Sequence, residues 1–113
     1  MWYKDVESYS VYTKDGHLQG LFFLDLYPRD GKYTHACCEN IQNSCMICNF
    51  PPSTPQLPST ISHDDVTTLF HEFGHLIHVM CNNQRICSFG SFCDETDFVE
   101  TPSQVAVGRS GDR

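Results

Sequence analysis

Two histidines and a glutamate fall within five residues of one another, as His71, Glu72 and His75 in the stretch Leu69-Phe70-His71-Glu72-Phe73-Gly74-His75-Leu76-Ile77-His78. On a helix, positions i and i+4 share a face, so His71 and His75 can grip one metal ion together. Glu72, about 100° further round, then stands where a bound water would sit. This is the arrangement zinc chemistry uses: two neutral imidazoles hold the ion, an open position carries water, and a carboxylate takes the water's proton. A catalytic zinc usually takes three protein ligands. His78 shares the helical face, but it stands nearly two turns from His71, roughly 10 Å of rise, which suits packing better than ligation. The remaining candidates are the carboxylates Asp94, Glu95, Asp97 and Glu100, and spacing alone does not choose among them. The competing reading is an ordinary amphipathic helix with two solvated histidines.

The motif needs a helix beneath it, and the flanks supply one. Ser62 precedes His63-Asp64-Asp65, an N-cap followed by acidic residues that suit the helix dipole. Val66, Leu69, Phe70, Phe73, Leu76, Ile77 and Met80 recur at spacings of three and four, a wide apolar stripe. Asn82-Asn83 ends the run, so a helix is predicted over about 63–81. Gly74 weakens it by about 1 kcal/mol relative to Ala, which makes sense if another backbone or a ligand must come close.

Upstream, residues 6–13 alternate weakly and read as a strand. Lys14-Asp15-Gly16-His17 is a hairpin turn, with Gly supplying positive φ. Leu18 to Tyr27 is a second strand, Pro28-Arg29-Asp30-Gly31 a second turn, and Lys32 to Cys38 a third strand with Tyr33, His35 and Cys37 on one face. His35 by itself reads as a surface or half-buried strand residue. Residues 51–60 hold four prolines and form an extended connector. Downstream of the motif, Gln84 to Cys93 reads as a loop, and the acidic start, Phe98-Val99 and Pro102 read as the opening of another helix. The tail from Val105 to Arg113 carries no packing signal and is expected to fray. The fold class is α+β: a small antiparallel sheet, the motif helix and a short second helix.

The chain has 113 residues and a formal charge of −7, with slightly negative mean hydropathy. That is at most one domain. The acidic balance argues against a nucleic-acid partner or an anionic membrane surface, and no apolar run approaches the ~20 residues a bilayer requires. The N-terminal residues show neither a signal-peptide core nor Arg-rich transit character, which leads to a cytoplasmic expectation. Seven cysteines follow no framework spacing, so free thiols in a reducing compartment are expected. Cys45-x-x-Cys48 lacks a second such pair and a suitably spaced histidine pair. Incidental thiols are the better reading than a zinc module built on them.

Several stretches together resemble the thimet oligopeptidase and neurolysin family of zinc metallopeptidases. They are Phe70-His71-Glu72-Phe73-Gly74-His75, Phe98-Val99-Glu100-Thr101-Pro102-Ser103-Gln104, Phe23-Leu24-Asp25-Leu26-Tyr27-Pro28-Arg29-Asp30-Gly31-Lys32-Tyr33, His35-Ala36, Asn49-Phe50-Pro51 and Ser62-His63-Asp64-Asp65-Val66. The resemblance spans about residues 2–104. It implies one zinc ion per chain held by His71, His75 and Glu100, with Glu72 as general base, and it puts His35 and Ala36 at the substrate cleft. It implies hydrolysis of short peptides, a cytoplasmic or mitochondrial setting, and a larger, mainly helical fold enclosing the site in a deep channel. Residues 1–104 then correspond to part of a catalytic domain and 105–113 to a divergent tail. Relative to the family, a stretch between Cys45 and Met46 is missing, as is the later Tyr- and His-bearing segment that helps stabilise the oxyanion. The alternative is a truncated, catalytically inactive zinc-binding or interaction fragment. Nothing in the sequence sets the oligomeric state.

Overall fold

The computed structural model describes residues 2–40, 43–81 and 96–110. Strands β1 (Glu7–Tyr12) and β2 (Leu18–Asp25) pair antiparallel, Glu7 opposite Leu24 and Ser10 opposite Leu21. The turn between them closes with Thr13 N–H donating to His17 O at 2.8 Å, and Gly16 takes φ +83° as the Asp-Gly step requires.

The sheet departs from the expected antiparallel form. Strands β3 (Cys37–Asn40) and β4 (Ser44–Ile47) make an antiparallel pair, and β4 lies parallel to β2, giving the order β1-β2-β4-β3. The sheet is therefore mixed. The third strand also begins five residues later than the sequence suggests. The reason lies in Lys32, whose ammonium is buried and donates to the carbonyls of Asp25, Tyr27 and Cys48. Anchored there, residues 32–36 form no strand and bend at Thr34-His35 before β3 begins. β4 has only four residues, too short to show a period of its own.

Helix α1 (His63–Cys81) matches the predicted span. Its start is a reciprocal cap: Asp65 N–H donates to Ser62 Oγ at 3.1 Å, and Ser62 N–H donates to Asp65 Oδ2 at 2.8 Å. Leu69, Phe73, Leu76 and Met80 pack on the sheet face made by Phe22, Leu24, Cys38 and Met46, with Cys48 and Phe50 completing the core. The connector over 51–60 is neither helix nor strand, as its prolines dictate. Helix α2 (Thr96–Val99) is one turn, and after Glu100 the chain enters α3 (Thr101–Ser110). The tail expected to fray from Val105 onward thus continues as helix to Ser110, where Ala106 and Val107 are half-buried. The predicted loop over 84–93 and the end of α1 at Asn82-Asn83 lie outside the described residues.

Candidate metal centre

The site is built where α1 and α3 cross. Gly74 permits the crossing: a Cβ there would come within 2.5 Å of Ser103 Cα, 2.8 Å of Pro102 O and 2.9 Å of Ser103 N. These are backbone atoms of a second helix, the close approach that the sequence position of Gly74 suggested. With the helices this near, Glu100 at the head of α3 meets the two histidines one turn apart on α1. Pro102 is tolerated because it falls in the first turn of α3, where backbone N–H groups have no intrahelical partner.

Three ligand-type atoms converge. His71 Nε2 and His75 Nε2 lie 3.3 Å apart, and Glu100 Oε2 stands 3.2 Å from the first and 3.3 Å from the second. Among the described residues this is the one group of three His, Cys, Asp or Glu side chains placed to share an ion. The triangle passes a test of fit. Three atoms about 3.3 Å apart are three corners of a tetrahedron whose centre lies about 2.0 Å from each, the distance zinc keeps from imidazole nitrogen and carboxylate oxygen. Burial lowers the pKa of His75, the nearby Glu100 carboxylate opposing, a direction that favours the neutral ring a metal ligand requires.

Glu72 is buried beside this triangle, and burial raises its pKa, with His71 opposing and Glu100 adding to the rise. Its charge reaches across to the sheet, where it helps keep the Cys37, Cys38 and Cys48 thiols protonated. His78 is outside the triangle and packs edge-on to Phe98, ring centres 6.3 Å apart. Asp94 and Glu95 lie outside the described residues, as does the Asp97 side chain.

His35 and Ala36 are not in a strand. They form the bend that leads into β3, His35 exposed with its ring 5.5 Å from that of Tyr33, and Ala36 packed against the core. Cys45 and Cys48 meet no third ligand among the described residues. The cysteines described, Cys37, Cys38, Cys45, Cys48 and Cys81, are free; Cys87 and Cys93 lie outside the described residues. Burial is the main cause that pushes the thiol of Cys45 up to about 11 and those of Cys38 and Cys48 up to about 12. Thiols so protonated are poor nucleophiles.

Two features escaped the sequence reading. Asp25, buried at the end of β2, accepts from Trp2 Nε1, from both terminal nitrogens of Arg29 and from Lys32. An acid closing an apolar strand, with Arg four residues on, was the available signal. Ser103, buried in the crossing, was signalled only by its place three residues after Glu100.

A mixed sheet thus backs a helix bearing two histidines, and the carboxylate that meets them stands at the start of a second helix. The profile of peptidase family M3 matches residues 1–106, and the chain belongs to that family. It is 40% identical to a thimet-like oligopeptidase of Dictyostelium discoideum over 92% of its own length and 18% of the relative's. Against saccharolysin of Saccharomyces cerevisiae the identity is 36% over 93% of this chain and 17% of the relative, and against oligopeptidase A of Escherichia coli it is 31% over 92% and 17%. The chain thus spans less than a fifth of the length of these curated relatives.

Proposed function

We propose that this chain carries the metal-binding and proton-transfer core of a zinc-dependent oligopeptidase, a metalloendopeptidase acting on short peptides. The convergence of His71 Nε2, His75 Nε2 and Glu100 Oε2 to mutual distances of 3.2–3.3 Å carries the proposal. Family membership and the oligopeptidase names of the relatives support it. His71, His75 and Glu100 would hold one zinc ion. When bound, zinc supplies Lewis-acid polarisation of a carbonyl and acidifies water.

The residues of this chain do the rest. Glu72 takes a proton from the attacking water on a carboxylate oxygen and returns it to the leaving amine nitrogen. Burial suits it to both halves of that cycle, because a carboxylate with raised pKa holds a proton better than an exposed one. His35 and Ala36, immediately before β3, are assigned to the side on which a peptide would lie. Residues 1–104 form part of a larger, mainly helical catalytic domain in this reading. A cytoplasmic setting belongs to the same reading; among the described residues no helix is long and apolar enough to cross a membrane.

The test pairs metal analysis with turnover on a short fluorogenic peptide. Purified chain should bind one zinc, His71→Ala should lose it, and Glu72→Gln should keep it while cleavage falls by 10²-fold or more. Equal cleavage by wild type and Glu72→Gln would sink the catalytic assignment. Zinc bound without turnover in the wild type would leave the alternative, a non-catalytic zinc-binding fragment.

A further inference from the structure

Glu100 offers one carboxylate oxygen, Oε2, to both imidazoles, and the same oxygen has a third neighbour. Ser103 Oγ lies 2.9 Å from Glu100 Oε2 and 2.8 Å from Glu100 O. Ser103 is fully buried, at 0% exposure. A serine in the first turn of a helix commonly bonds back to the turn before it, and the carbonyl contact alone would need no further reading. The hydroxyl has a single proton to donate, however. Of its two acceptors the charged carboxylate is the stronger. Ser103 also supplies the backbone that rests on Gly74, so one residue touches both the ligand and the helix bearing the other two ligands.

We propose that Ser103 is a positioning residue for the metal centre. Its hydroxyl donates to Glu100 Oε2 and turns that oxygen toward His71 and His75, while its backbone sets the separation of α1 and α3 at which the oxygen reaches them. The inference rests on the reading of His71, His75 and Glu100 as metal ligands. It adds that the glutamate's orientation comes from a hydrogen bond made within its own helix turn. Partners of this kind, one shell beyond the metal, typically change metal affinity by 10–100-fold when removed.

The test is zinc affinity by competition with a chromophoric chelator, on the full chain, alongside the melting temperature of the metal-free protein. Ser103→Ala keeps the Cβ and removes the donor; Ser103→Thr keeps the donor and disturbs the packing. Affinity should follow the hydroxyl: about 10–100-fold weaker in Ser103→Ala and near wild type in Ser103→Thr, whatever their melting temperatures. In a Glu100→Ala background, Ser103→Ala should cause no further loss. Affinity that follows metal-free melting temperature instead of the hydroxyl, or a Ser103→Ala chain that binds zinc as wild type does, overturns the proposal and leaves the three-ligand reading standing. A wild-type chain that binds no zinc overturns that reading and the inference with it.

Discussion

Two carboxylates in this chain are pushed in opposite directions, and the cause is who faces them. Glu72 is buried with weak compensation and its pKa rises. Asp25 is buried too, and burial is the largest effect on it, but hydrogen bonds from Arg29, Lys32 and Trp2 together outweigh that and bring its pKa down to about 2 from 3.8. Because the folded pKa is the lower, Asp25 contributes stability above about pH 4 that is lost as pH falls toward 2, a total of about 2 kcal/mol. Unfolding free energy followed from pH 5 to pH 2 should show this loss. Asp25→Asn should start less stable at pH 5 and fall less steeply. At this scale the sequence was readable only where chemistry is local. His71, Glu72 and His75 are linked by one turn of helix, so spacing alone brought them together. Spacing could not separate Glu100 from Asp94, Glu95 and Asp97, because its approach to the histidines depends on where two helices cross; only the family resemblance singled it out.

That crossing rests on Gly74, and the helix pair is its proper scale. An alanine there would gain about 1 kcal/mol of helix propensity. It would also force a methyl group to within 2.5–2.9 Å of Ser103 and Pro102 backbone atoms, which cannot swing aside as a flexible side chain can. Overpacking of this kind costs about 1–3 kcal/mol, and relief requires α3 to shift and carry Glu100 with it. Gly74→Ala should therefore lower the melting temperature and weaken zinc binding together, which calorimetry and chelator competition measure. Helix α1 was readable because its apolar stripe lies within its own nineteen residues and its cap, Ser62, stands immediately before them. β3 and β4 were not: one is delayed by Lys32 reaching distant carbonyls, and the other is a four-residue strand whose partner, β2, lies some twenty residues upstream.

Among the described residues the buried apolar core is small, comprising Val6, Met46, Cys48, Phe50 and Leu76, while Phe70, Ile77 and Val105 line an exposed apolar groove between α1 and α3. A metal ion joining His71 and His75 to Glu100 would tie those two helices together, and a ligand that binds only the folded state stabilises it by about 2.7 kcal/mol at a hundred times its Kd. Zinc should accordingly raise the melting temperature in a concentration-dependent way, chelator should reverse the rise, and His71→Ala should be insensitive to both. Sequence alone captured the family and the α+β class. It missed the mixed pairing of the sheet, because register between strands is a property of no single segment.

The parallel alignment of β2 with β4 has a temporal consequence. A hairpin such as β1–β2 closes over a few residues, but two parallel neighbours require the chain to travel the length of the sheet and return, here through the buried Lys32 anchor and β3. The loop-closure entropy for that circuit is spent before its contacts repay it. Helix α1 asks only for bonds four residues apart. The segment that presents the histidines can therefore form early, whereas the sheet it rests on must await the least local strand pairing among the described residues.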